Sequence, residues 1–206
     1  MKKFRLFATL IVVALCTTTI FTSCNNDDDD DNGNGYFEIR ATNVIGNTSG
    51  IATARAVIFD YYDCYKTFTV GKAPFQNNGF TLRFTNEVPA SFLSPITKEF
   101  PSNLVSDRNA RVTTFAYSVP FAFDSSGNQI GFFGFENERG NEHFWTFWIY
   151  ADRDVTIIGT SSGDEFNLNL RRGWNTIYGH SNYSTDVHRV TSQRPPNANL
   201  QWQFFG

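Results

Sequence analysis

Sulfur is scarce in this sequence, with three cysteines and one methionine in 206 residues. Cys16 lies within an apolar stretch at the amino terminus and Cys24 directly after it, so only Cys64 belongs to the body of the chain. A single cysteine excludes a disulfide framework. As a nucleophile it would need a base beside it, and Tyr62, Asp63, Tyr65 and Lys66 supply none, so Cys64 reads as a packed structural residue. Sustained helical periodicity is also missing, beyond one short turn at residues 89–93. So are the strings of familiar chemistry: the Gly-x-Ser-x-Gly elbow, His-Glu-x-x-His, the phosphate-binding loop and the dinucleotide fingerprint. No catalytic residue, metal ligand or cofactor is assigned on this basis. A basic excess is absent as well. The formal net charge is −3; setting aside Lys2, Lys3 and Arg5 makes it −6, and setting aside five consecutive aspartates leaves −1 for residues 36–206. A nearly neutral body lacks the electrostatic face that dominates nucleic-acid binding, so no nucleic-acid partner is expected.

The amino-terminal sequence follows a recognisable layout. Lys2, Lys3 and Arg5 precede an apolar stretch over residues 6–21, and small residues follow, which is the layout of a secretory signal peptide spanning residues 1–23. The stretch is short for a membrane-spanning helix, which needs about 20 apolar residues. Residues 25–35 contain no apolar side chain and include Asp27, Asp28, Asp29, Asp30 and Asp31. Such a run repels itself and forms no core, so it reads as a flexible tether. Residues 36–206 are enough for one domain with a real core.

The tetrapeptide Phe21, Thr22, Ser23, Cys24 resembles the bacterial lipobox, with Phe21 in place of the usual Leu. The resemblance implies diacylglyceryl transfer to the Cys24 sulfur, cleavage before it and acylation of the new amino terminus, hence a membrane attachment through lipid. The acidic run Asp27 to Asp31 resembles the surface-export signal of Bacteroidetes lipoproteins, which implies an outer-membrane location facing the cell exterior.

Alternation of apolar and polar residues dominates the rest of the chain. Phe80, Leu82 and Phe84 alternate with Thr81 and Arg83; Phe166, Leu168 and Leu170 alternate with Asn167, Asn169 and Arg171; Leu200, Trp202 and Phe204 alternate with Gln201 and Gln203. Period two with one polar face predicts half-buried antiparallel strands. Further strands are predicted over residues 37–44, 54–62, 114–123, 129–135, 143–150, 155–160 and 174–178, with hairpin turns at residues 124–128 and 161–164. Twenty-two Phe, eight Tyr and four Trp suit an aromatic-packed strand interior. The fold class expected is all-β: an antiparallel β-sandwich of about nine or ten strands, with a β-barrel as alternative. The run Phe80 to Phe84 before Val88 and Pro89, then Leu93, Ser94, Pro95, Ile96, is similar to the uncharacterised β-sandwich lipoproteins of Bacteroidetes. Asp154, Val155, Thr156, Ile157, then Leu170, Arg171, Arg172, Gly173, Trp174, Asn175 and Leu200, Gln201, Trp202 extend the likeness, which implies the fold and no activity.

Three places carry candidate chemistry. Glu136, Asn137, Glu138, Arg139, Gly140, Asn141, Glu142 and His143 form the densest polar cluster, placed between two aromatic strands. Its carboxylates could serve glycoside hydrolysis, or with His143 a metal, or the cluster could be a polar hairpin tip. Asp152 and Asp154, on either side of Arg153, could offer oxygens to calcium, but one Asp-x-Asp without the rest of a calcium loop reads first as turn-shaping caps for loop amides. The strand over residues 143–150 is apolar on both faces, which fits either a strand buried on both sides or one with an exposed aromatic face; flat rings stack on sugar faces, and in the second case Trp145, Trp148, Trp174 and Tyr178 are the expected stacking residues. The function expected is a non-catalytic carbohydrate or glycoconjugate binding module. One alternative is an accessory lipoprotein docking onto another envelope protein; another is an envelope glycoside hydrolase using Glu138 and Glu142.

Overall fold

In the computed structural model the described residues are 36–63, 65–114 and 119–206. Cys24, the tether with Asp27, Asp28, Asp29, Asp30 and Asp31, and Cys64 lie outside them. Fourteen strands are present among the described residues: β1 (Phe37–Ala41), β2 (Thr53–Phe59), β3 (Thr67–Pro74), β4 (Phe80–Phe84), β5 (Ser94–Pro95), β6 (Arg111–Val112), β7 (Pro120–Phe123), β8 (Gln129–Arg139), β9 (Glu142–Ala151), β10 (Val155–Ser161), β11 (Asp164–Leu170), β12 (Gly173–Asn182), β13 (Val187–Thr191) and β14 (Gln201–Phe205). Two 3-10 turns, Ala90–Phe92 and Ile96–Lys98, are the only helical pieces among these residues, and no helix there is long and apolar enough to cross a membrane. Each of the ten predicted strands has a counterpart, although of the one expected over residues 114–123 only Pro120–Phe123 is strand and residues 115–118 lie outside the described residues. The four additional ones are β3, β13 and the two-residue β5 and β6.

The strands form a two-stranded sheet, β1–β4, and a twelve-stranded sheet whose main path runs β10-β11-β13-β12-β9-β8-β7-β2-β3, with β14 on β8 and β6 on β9. Neither closes into a barrel, and the arrangement is a sandwich. One pairing departs from the antiparallel rule. β12 pairs with β9 rather than with β11, and β13 folds back from β12 into the gap beside β11. A strand that reverses β12, which itself reverses β11, must run parallel to β11, and Phe166 opposes Val190 in that ladder.

Two main cores result. β1 and β4 bring Ile39, Phe80, Leu82 and Phe84 onto Ala54, Ala56, Ile58 and Val70 of β2 and β3, and onto Phe133, Trp148, Trp174 and Trp202. On the opposite side, Ile96, Phe100, Val105 and Val112 of the irregular segment between β4 and β7 cover Phe147, Ile149, Leu168, Leu170 and Ile177. β9 therefore sends Trp148 into one core and Phe147 and Ile149 into the other. That is why both of its faces are apolar.

The polar cluster between β8 and β9 is mostly strand. Glu136 to Arg139 belong to β8 and Glu142 and His143 to β9, so the connection shrinks to Gly140 and Asn141. Gly140 has φ of 62°, the left-handed value that a two-residue hairpin demands and glycine meets without strain. The predicted hairpin at residues 124–128 is held by Asp124, which accepts the backbone N–H of Asn128 at 2.8 Å.

Candidate functional site

The four aromatic residues expected to stack a ligand do not form an exposed row. Trp148, Trp174 and Tyr178 are 4, 9 and 6% exposed. Trp148 lies parallel to Trp202 at 5.8 Å. Trp174 meets Phe84 edge-on at 4.8 Å and donates its indole N–H to the Thr85 carbonyl at 2.8 Å. Tyr178 packs with Phe144, Ala198 and Leu200 in a small third core. Trp145 is half-buried and lies across Gly179 of the neighbouring strand, where an added Cβ would come 2.1 Å from its ring. The expectation of an aromatic binding face at Trp145, Trp148, Trp174 and Tyr178 is corrected accordingly: β9 and β12 are central strands covered on both sides, and their rings serve packing.

The carboxylates are also separated. Glu138 opposes His143 and Glu142 opposes Arg139 across the β8–β9 ladder. Directly opposed residues share a face and successive residues alternate, so Glu138 and Glu142 point to opposite sides of the sheet and cannot flank one glycosidic bond. Glu136 does approach His143, 3.5 Å from Nε2, and the Tyr183 hydroxyl lies 3.4 Å from Nδ1. Among the described residues no three His, Cys, Asp or Glu side chains gather in a way that could hold a metal ion. Beside this rim, Ser181 Oγ contacts His188 Nδ1 at 2.6 Å and Asp186 lies 3.6 Å from His188 Nε2. The residue types are those of a nucleophilic triad, but Ser181 is buried and the Asp186 side chain is fully solvated, so neither an accessible nucleophile nor a buried orienting carboxylate is present.

Asp152 and Asp154 are occupied as turn caps. Asp152 Oδ1 accepts the backbone N–H of Arg111 and pairs with Arg153, which is also 3.4 Å from Asp107. Asp154 accepts the backbone N–H of Arg172 at 2.8 Å and pairs with Arg171. The Arg172 N–H first, and Arg171 second, hold the Asp154 carboxyl below its usual value. Lowering the folded-state value stabilises the fold above the unfolded carboxylate range, and that gain disappears as the pH falls through the folded value. Asp154→Asn is thus expected to lower Tm by about 1–2 °C at about pH 6, and by nothing measurable near about pH 2, since the site is largely solvated. Thermal melts of both chains across that range check it; a deficit that persists in acid would contradict the assignment.

What the fold does assemble is a groove of about 740 Å³ at the ends of β9 and β12 remote from Trp174. The register builds it in two cross-strand rows. Phe144, His180, Arg189, Glu165 and Thr160 line up across β9, β12, β13, β11 and β10, and Thr191, Asn167 and Ile158 form a second row two residues further along. Gln193, Arg194, Pro195, Pro196 and Asn197, in the connection to β14, wall one side. The His180 ring lies flat on Phe144, with centroids 4.3 Å apart and planes at 3°. Its Nε2 is 3.5 Å from Glu142 and makes no hydrogen bond. Arg189 and Glu165 pair at 2.7 Å. Glu142 and Glu165 balance Arg189 and Arg194, so the acidic and basic side chains of the groove cancel in formal charge. Of the residues singled out in the sequence, only Glu142 lines it.

Compared with known proteins, the chain matches no family model, no curated protein and no solved structure.

Proposed function

We propose that the protein is a lipid-anchored module of the bacterial outer membrane that captures a neutral carbohydrate or glycoconjugate at the cell surface without transforming it. One observation carries the reading: a charge-balanced groove whose rim alternates hydrogen-bonding side chains around the stacked Phe144–His180 pair and the exposed Ile158. Sugars present hydroxyls at their edges and apolar patches on their faces, so a site for them needs donors and acceptors in number, little net charge and some flat apolar surface. Asn167, Thr160, Thr191, Gln193 and Asn197 supply the first, and the exposed Ile158 and Pro196 contribute the last. A flat apolar patch would favour a protein partner instead, and a groove of this make-up supports the sugar. Hydrolysis is not favoured. Among the groove carboxylates, Glu165 is held by Arg189, and its backbone is three strand spacings, about 14 Å, from that of Glu142.

Glycan-array binding by the mature chain tests this. Asn167→Ala with Arg189→Ala is expected to weaken binding at least about tenfold, each lost contact being worth about 1 kcal/mol. The circular dichroism spectrum should be unchanged, because both side chains are exposed and the lost ion pair is a surface one. A blank across plant, host and bacterial glycans would remove the proposal. Reproducible crosslinking of the groove to one envelope protein would replace it with docking.

A further inference from the structure

The hairpin joining β2 to β3 ends in a tip whose described residues, 60–63 and 65–66, expose tyrosines. Tyr62 and Tyr65 are 80 and 94% exposed, and Tyr61 is partly exposed beside them with its ring edge-on to Tyr62 at 5.1 Å. The tip is pinned from within. Asp60 accepts the backbone N–H groups of Tyr62 and Asp63 at 2.9 and 3.3 Å and lies 3.4 Å from Lys66 Nζ, while the Asp60 N–H donates to the Lys66 carbonyl at 3.0 Å. Asp63 in turn accepts the Tyr65 N–H at 3.1 Å. These described tip residues are thereby held locally, both carboxylates are engaged, and two large rings are presented to the surroundings.

The pairings also decide which end of the domain this is. Phe37, the first strand residue, opposes Phe84, and the next residue, Thr85, donates its N–H to the Val70 carbonyl, three residues into β3 from the tip. The point where the tether enters and the tyrosine tip therefore share one end of the domain. Tyr36 is exposed there too, with the Arg83 guanidinium 6.0 Å from its ring centre. The groove is at the other end: Trp174 packs near Phe37, and His180 lies six residues further along β12, about 20 Å away. Twelve residues, 24–35, separate the proposed anchor from Tyr36. Twelve residues span at most about 40 Å, so the bilayer is the surface within reach of this end.

We propose that Tyr62 and Tyr65 seat in the interfacial layer of the membrane to which Cys24 is anchored, a second and weak contact that orients the domain and turns the groove outward. The inference rests on the lipid-anchor reading. Its chemistry is that of tyrosine at membrane surfaces, where the ring lies among headgroups and the hydroxyl stays wet.

The test is made independent of whether cells acylate the chain. Mature protein, residues 24–206, carrying Cys64→Ser is coupled through Cys24 to a maleimide lipid in vesicles of phosphatidylethanolamine and phosphatidylcholine. Aqueous lactoperoxidase iodination is then read tyrosine by tyrosine by mass spectrometry. Labelling of Tyr62 and Tyr65 is expected to fall at least about fivefold relative to the uncoupled protein, while Tyr183, exposed beyond the far end of β12, is unchanged. Equal labelling of all three on vesicles would overturn the proposal. Protection in intact cells but not on vesicles would also overturn it and assign the tip to a protein partner. Failure of Cys24 acylation in cells would count against the anchor reading alone.

Discussion

Trp202→Ala is expected to destabilise the domain by about 3–5 kcal/mol, the range for emptying a buried aromatic site. Trp202 is among the most connected side chains in the fold. Its ring lies parallel to Trp148 at 5.8 Å, stacks on Phe135 at 5.0 Å and meets Phe80 edge-on at 5.2 Å. Its indole N–H donates to the Arg40 carbonyl at 3.0 Å. Arg40 and Phe80 belong to the small sheet, Phe135 and Trp148 to the large one, so this side chain joins the two layers. Truncation opens a cavity between them and removes the donor facing Arg40. Urea unfolding should show a lower midpoint with an unchanged slope. Trp202→Phe keeps most of the packing and loses the N–H, and is expected to cost about 1–2 kcal/mol. A loss below about 1 kcal/mol for the alanine variant would mean that the layers do not depend on this contact.

Cys24→Ala is expected to abolish lipid labelling and membrane retention while leaving the domain from Tyr36 onward folded. Cys24 carries the only thiol near the proposed cleavage point, since Cys16 precedes it and Cys64 lies forty residues beyond. Two or three acyl chains make anchoring effectively permanent, at about 0.8 kcal/mol per buried methylene, whereas a chain without them has no comparable hold. Replacing Asp27, Asp28, Asp29, Asp30 and Asp31 with alanine is expected to preserve lipidation and reduce surface display. Metabolic labelling with a clickable fatty acid, followed by fractionation and protease treatment of intact cells, reads both. Unchanged labelling in Cys24→Ala would overturn the lipoprotein assignment, and unchanged surface exposure in the aspartate variant would reduce the acidic run to a spacer.

Some strands were legible to the residue. Residues 80–84 alternate without interruption, and β4 occupies those five positions because one face lies on the core and the other carries Thr81 and Arg83 outward. β3 was hidden. The register shifts between Ala56 and Val57, so the opposing Val70 and Gly71 are both buried and the alternation breaks there. β13 was hidden for another reason: of Val187 to Thr191 only Val190 is buried, and the segment is a strand because β11 and β12 accept it on both edges.

Local sequence determined the all-β class, most strand positions and the hairpin turns, because side-chain alternation and turn chemistry act over a few neighbouring residues. It also showed that residues 143–150 are apolar on both faces. It could not decide whether such a strand is doubly buried or half exposed, since that depends on what covers it, here the β1–β4 sheet on one side and the segment carrying Ile96 and Val112 on the other. The groove is likewise a product of tertiary structure alone. Phe144, His180, Arg189, Glu165 and Thr160 are scattered along the chain and meet only where the register of five strands sets them side by side, and register is a long-range property that no local pattern encodes.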